Sequence, residues 1–132
     1  MKKILLDTHA LLWFIEGDKQ LSKTARINIE DPKNMVCVSM TSFFEITIKL
    51  KLGKLILKKS LEEIYKDTLS IDIKIVPISE LHIFEYQNIP ILEDHKDPFD
   101  KLIIATAITE NLEIITVDRK FALYGDLIKT IW

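Results

Sequence analysis

The sequence predicts an α/β fold: three layers, α/β/α, with a central parallel sheet. Two observations carry this. Short apolar runs recur along the chain, at Ile4-Leu5-Leu6, Met35-Val36-Cys37-Val38, residues 74–78 and residues 112–117, and they alternate with longer segments of helical periodicity. Most helical segments also open on a good capping residue: Ser22, Ser39, Ser60, Ser79 or Asp97.

In order, residues 2–6 read as a buried parallel strand with Asp7 at its carboxyl end. Residues 10–16 are helical, with Leu11, Leu12, Phe14 and Ile15 apolar, and Gly17-Asp18 stops them. Residues 21–30 form a second helix, 31–34 a turn, and 35–38 the next strand. The helix over 40–52 carries Phe43, Phe44, Ile46 and Ile48, with Glu45 among them, and Gly53 marks its end. Lys49, Lys51 and Lys54 lie toward its carboxyl end, where cations suit the helix dipole. Residues 60–69 open with a capping-box pattern, Ser60-Leu61-Glu62-Glu63. Residues 74–78 read as a strand near an edge, because Pro77 cannot donate to a ladder.

A short helix over 79–86 and a polar loop over 88–96 lead to the stretch on which the chain is organised. There Asp97 is the expected N-cap, Pro98 fits the first helical position, and Asp100 falls in the first turn. Leu102, Ile103, Ile104, Ala105 and Ala107 make the helix apolar almost all round, as packing against a sheet requires. A strand over 112–117 ends at Asp118. A short helix over 121–123, a turn at 124–126 and a last strand over 127–132 follow. With no repeat or linker, one domain over 1–132 is expected.

Composition narrows the function classes. A chain of 132 residues, 48% hydrophobic and 29% charged, is long enough for a real core and argues against disorder. The net charge of −2 gives no global basic field, so a nucleic-acid partner needs a local patch. A lone Cys37 excludes an intramolecular disulfide and suits a reducing, cytoplasmic setting. No signal peptide is expected, and no stretch approaches the roughly 20 apolar residues of a membrane span.

Four acids converge on paper. In an open parallel α/β sheet, sites form beyond the carboxyl ends of the strands. Asp7 and Asp118 end strands there, Asp100 opens the helix that leads into the strand ending at Asp118, and Glu45 lies two turns into the helix after the second strand. Crowded carboxylates repel unless a cation neutralises them, and oxygen-rich sites suit Mg²⁺ or Mn²⁺. Each acid also has a structural explanation: Asp7, Asp100 and Asp118 can cap or favour helix starts, and Glu45 can point to solvent. His9 and His95 do not give a zinc spacing. A nucleophilic Asp7 of the haloacid-dehalogenase kind wants a second aspartate two residues on, where His9 stands. The lysines from Lys49 to Lys59 are most simply a solvated face.

Four segments together carry a family likeness. They are Leu5-Leu6-Asp7-Thr8-His9-Ala10-Leu11-Leu12-Trp13, the stretch from Val38-Ser39 through Phe44-Glu45-Ile46 to Gly53-Lys54-Leu55, the stretch from His95 to Ala107, and Thr116-Val117-Asp118 with Phe121. In this order the chain resembles PIN-domain ribonucleases, and among them the VapC-type toxins of toxin–antitoxin pairs. The resemblance implies a PIN-like α/β/α fold and metal-binding, catalytic acids at Asp7, Glu45, Asp100 and Asp118. Asp97 is a second candidate for the third acid. Asp100 is preferred because it stands just before the apolar Leu-Ile-x-Ala segment at Leu102-Ile103-Ile104-Ala105. One departure is Thr106, where close relatives often carry glutamine; it bears on substrate preference.

The resemblance further implies Mg²⁺-dependent (or Mn²⁺-dependent) hydrolysis of an RNA phosphodiester. Thr8 and Thr116 would orient water or an acid, and Lys49, Lys101 and Arg119 would meet substrate phosphates. It implies an antitoxin partner whose tail lies in a groove near the site, to which Leu11, Leu12, Trp13 and Phe14 could contribute, and a homodimer. The alternative is an inactive PIN-like module that binds a partner protein or RNA.

Overall fold

Ile4, Leu5 and Leu6 are fully buried, and the strand they form, β1 (Lys3–Leu6), is the centre of the sheet. The structure, a computed structural model, describes residues 1–132. β2 (Met35–Ser39), β3 (Lys74–Val76), β4 (Glu113–Ile115) and β5 (Thr130–Ile131) complete a five-stranded sheet of order β3-β2-β1-β4-β5. Every pairing is parallel, with Leu5 opposite Cys37 on one side and Ile114 on the other. The edge place expected from Pro77 is where β3 lies.

Strand side chains alternate between faces, and two cores follow from that alternation. Ile4, Leu6, Val36 and Val38 pack with Leu11 and Leu12 of α1 (Thr8–Glu16), Ala25 of α2 (Lys23–Glu30), Phe43 and Ile46 of α3 (Met40–Lys51) and Ile64 of α4 (Leu61–Ser70). Leu5, Cys37 and Ile114 face the other way. They pack with Ile103, Ile104 and Ala107 of α6 (Pro98–Glu110) and with Phe121 and Tyr124 of a 3-10 helix (Arg119–Tyr124). Helix α5 (Glu80–Tyr86) precedes α6. Each buried Ile or Leu contributes about 1.5–3 kcal/mol of apolar burial, which holds the helices on the sheet. No helix is long and apolar enough to cross a membrane.

Several boundaries differ from the sequence expectation, three of them beside the cleft or at the sheet's far edge. Helix α1 starts at Thr8, not residue 10, because Asp7 caps it and accepts the Ala10 N–H at 2.8 Å. The strand expected over 112–117 is shortened to β4, and the one over 127–132 to β5. The apolar run outlasts the ladder in both places, since hydrophobicity reports burial and not where a partner strand ends.

The chain runs outward from β1 through β2 to β3, then crosses to β4 and β5 on the other side of β1. Strand order therefore reverses at β1 and β4, and the crevice beyond their carboxyl ends is where such a sheet accepts ligands.

Candidate active site

Asp7 follows β1 at that crevice. Its carboxyl is buried among the strand ends, and burial pushes it up to about 6, with the charges of Glu45 and Asp118 adding to the rise. The Thr116 hydroxyl and the Ala10 N–H pull the other way. The cap and site readings of Asp7 are thus compatible: one oxygen serves the helix, and the residue still faces the cleft.

Glu45 is only 3% exposed, and both of its oxygens are engaged. The Thr8 hydroxyl donates to Oε1 at 2.6 Å and lies 3.0 Å from Ser42 Oγ, while Lys49 Nζ is 2.7 Å from Oε2. A buried glutamate needs such partners, because an unpaired buried charge is costly. Burial lowers the Lys49 ammonium, but the Glu45 contact, with Asp97 and Asp100 nearby, outweighs it and raises Lys49 above its ordinary value.

At the start of α6 the two aspartates divide. Asp97 Oδ1 accepts the N–H groups of Phe99 at 2.8 Å and Asp100 at 3.2 Å, the expected cap with Pro98 at the first helical position. Asp100 is pushed up to about 6, chiefly by burial and then by Asp97 and Glu45, while His95 opposes the rise. His95 is 1% exposed, with Nε2 2.9 Å from Asp100 Oδ2 and Nδ1 2.8 Å from the Tyr124 hydroxyl. Asp118 caps the 3-10 helix by accepting the Lys120 N–H at 2.9 Å, and its own N–H donates to Thr116 Oγ1 at 3.0 Å.

Asp7, Glu45, Asp100 and Asp118 line one cleft of about 350 Å³, together with Asp97, Thr8 and Lys49; His9, Trp13 and Val117 complete its wall. Five carboxyls thus face one ammonium. No group of three or more His, Cys, Asp or Glu residues stands ready-arranged to hold a metal ion. A larger cavity of about 550 Å³ opens at the opposite edge of the sheet, by Lys2, Lys3 and Lys129. Its charged groups are of mixed sign and none is buried, in contrast to the acids of the smaller cleft.

Two expected phosphate contacts are not brought to the cleft. Lys101 is 7% exposed and does not line it. One residue on a helix turns the side chain by about 100°, so Asp100 and its neighbour cannot face the same way. Arg119 is exposed but stands outside the cleft wall. Thr116 is buried behind Asp7 and Asp118. From sequence His95 is a metal-ligand candidate without a zinc spacing; its place two residues before the Asp97 cap hints at a link to α6, but no local pattern points to Tyr124.

The model of the PIN domain family matches residues 4–127, nearly the whole chain. The chain belongs to the PIN domain family. No curated protein matches it by sequence. Among solved structures, this PIN domain is similar to VapBC2 from Rickettsia felis bound to a DNA fragment from their promoter: TM-score 0.64, 20% identity, covering 97% of this chain and 98% of that one. DNA-bound VapBC from Salmonella typhimurium gives TM-score 0.65 and 15% identity over 99% and 98%. VapC20 of Mycobacterium tuberculosis, described as a Sarcin-Ricin loop cleaving toxin, gives 0.64 and 17% over 92% and 95%. At these identities the likeness is one of fold, and it agrees with the α/β/α layers and the parallel sheet described above.

Proposed function

We propose that this PIN domain is a divalent-metal-dependent endoribonuclease acting as the toxin of a VapBC-type pair. The observation that carries the reading is the cleft itself: Asp7, Glu45, Asp100 and Asp118 gathered from four segments at the strand-order reversal, with Asp7 and Asp100 both raised to about 6. Burial is the chief cause of both rises and the neighbouring acids add to it; carboxyls that resist ionising in this way are ones that a cation relieves. The donor set fits a hard ion such as Mg²⁺ or Mn²⁺, since every candidate ligand is a carboxylate oxygen. The solved structures of similar fold include VapBC complexes and a Sarcin-Ricin loop cleaving toxin, which supports a cognate antitoxin and an RNA substrate. A homodimer and a cytoplasmic site of action belong to the same proposal.

Asp7 and Asp100 would hold the ion, with Glu45 and Asp118 bound directly or through water. When bound, the ion supplies a water of lowered pKa and positive charge beside the scissile phosphate. The chain does the rest. Thr8 fixes Glu45, and Glu45 fixes Lys49, so that the ammonium stands in the cleft as the chain's own phosphate contact. Asp97 and Asp118 hold the helix starts that carry the acids in place. The test is cleavage of total RNA by the purified chain, free of antitoxin, with Mg²⁺ and then with EDTA. Cleavage that stops on chelation and returns with Mg²⁺ or Mn²⁺ is expected. Unchanged cleavage in EDTA, or none with either ion, overturns the reading.

A further inference from the structure

His95 is among the buried polar residues of this fold. A polar ring 1% exposed must have its nitrogens satisfied or lose the hydrogen bonds water gave it. Both are satisfied, by side chains from different places. Nε2 meets Asp100 Oδ2 at 2.9 Å, five residues on, and Nδ1 meets the Tyr124 hydroxyl at 2.8 Å, 29 residues on. The ring also packs beside Tyr124 and Phe121, at centroid distances of 5.4 and 5.9 Å. Tyr124 is itself 2% exposed and sits in the core under α6, so the relay is anchored in packed structure and not in a loop.

The donor logic fixes the direction of the relay. A carboxylate only accepts, so Nε2 carries the proton toward Asp100. In the neutral ring Nδ1 then accepts, and the Tyr124 O–H donates to it. The contrast with Asp97 sharpens the point. Asp97 Oδ1 is taken by two backbone N–H groups of α6, a capping arrangement, while the Asp100 carboxyl is held by a side chain with no part in any helix end.

We propose that His95 is the positioning residue for Asp100: braced by Tyr124, its Nε2–H holds Oδ2 and leaves Oδ1 as the oxygen offered to the cleft. This rests on the proposal that Asp100 is a metal ligand. A carboxylate with one oxygen tethered has fewer orientations to lose when it ligates, which is how partners behind a ligand raise affinity. The role is distinct from catalysis, since His95 does not line the cleft.

The experiment uses the full chain and its variants His95→Leu, His95→Gln, Tyr124→Phe and Asp100→Asn. Three quantities are read: the His95 tautomer from ¹⁵N spectra without metal, Mn²⁺ affinity by electron paramagnetic resonance, and melting temperature. Expected is the Nε2–H tautomer in the wild type and also in Tyr124→Phe, because the Asp100 carboxylate still accepts from Nε2. Mn²⁺ affinity should fall about tenfold in His95→Leu and recover in His95→Gln, whose amide can still donate. A residue that only packs the core would move melting temperature and not the Gln-rescued affinity. If His95→Leu does not fold, Tyr124→Phe, which removes one oxygen, carries the comparison through a several-fold loss of affinity. Wild-type affinity in a folded His95→Leu or, failing that, in Tyr124→Phe, or an Nδ1–H tautomer in the wild type, overturns the role of His95 while Asp100→Asn still loses Mn²⁺. Wild-type affinity in Asp100→Asn overturns the ligand assignment beneath it, and the role of His95 with it.

Discussion

Lys49 reaches back one turn of α3 and places its Nζ 2.7 Å from Glu45 Oε2, inside the cleft that the acids line. Thr8 already holds the other oxygen. Glu45 therefore differs from Asp100 and Asp118, each of which gives one oxygen to a hydrogen bond from a named partner. Lys49 is the positive charge the chain supplies to its own acidic cluster, and a metal ion would compete with it for Glu45.

Lys49→Met tests this. It keeps most of the side chain's apolar stem and removes the charge, leaving Glu45 buried without its cation. Losing one partner of a fully buried pair costs about 3–5 kcal/mol. Lys49 is 30% exposed, and solvent screening lowers the expectation to about 1–2 kcal/mol. Urea denaturation without metal should show that loss. Added Mg²⁺ should recover more stability in the variant than in the wild type, while RNA cleavage falls for want of the phosphate contact. Unaltered stability would mean that the pair is an ordinary surface bridge.

Asp7→Asn separates the two jobs that Asp7 holds. Asparagine caps helices as well as aspartate does, so the bond to the Ala10 N–H can survive and the fold should be kept. The charge is gone, and with it the metal site and cleavage. Asp7→Ala should lose both, with a further stability cost of about 0.5–2 kcal/mol. Full cleavage by a folded Asp7→Asn chain removes Asp7 from the proposed site.

That doubling explains what was legible in the sequence. Asp7, Asp97 and Asp118 all proved to be caps, so the capping rules placed the helix starts to within a residue or two and, through them, the acids. The carboxyl edge followed from the alternation of strand and helix. Tyr124 was not legible: its hydroxyl meets His95 only because the 3-10 helix folds beneath α6, a contact 29 residues long that no local pattern encodes. Lys101 was misplaced for a local reason, since helical rotation turns it from the cleft beside Asp100. The Glu45–Lys49 pair is legible in principle, being the favourable i,i+4 spacing with glutamate first, but from sequence the lysine reads as a helix-end cation, a solvated residue or a phosphate contact, and not as the partner of Glu45.

Asp97 and Asp100 should part by mutation. Asp97→Ala removes a cap and should cost about 0.5–2 kcal/mol of stability. Assayed well below its melting temperature, its cleavage should largely survive. Asp100→Ala relieves a carboxyl that burial disfavours as an ion and at the same time strands the His95 Nε2–H, so the two effects oppose and stability without metal should change little at neutral pH, while metal affinity and cleavage collapse. Melting curves without metal and cleavage rates with Mg²⁺ decide it. Loss of cleavage at full stability in Asp97→Ala, with cleavage kept in Asp100→Ala, would give Asp97 the ligand's place.

The two raised carboxyls also set a pH dependence with a definite sign. Asp7 and Asp100 each ionise near 3.8 in the unfolded chain and near 6 when folded. Between those values the folded chain binds more protons than the unfolded one, so stability falls as pH rises. Their contribution is fully present below about pH 3.8, on the order of 3 kcal/mol for each group, and is lost once pH passes about 6. Other carboxyls slope their own way, so the comparison is with Asp7→Asn/Asp100→Asn, which lacks both titrations. Without metal, the stability of the wild type relative to that variant should decline from pH 4 to pH 6.5. A cation reverses the trend because it binds only the ionised forms. Mg²⁺ should therefore raise the wild-type melting temperature above pH 6, do nothing near pH 4, and leave the double variant unmoved throughout. A wild-type response to Mg²⁺ that is flat across that range would detach the raised carboxyls from metal binding.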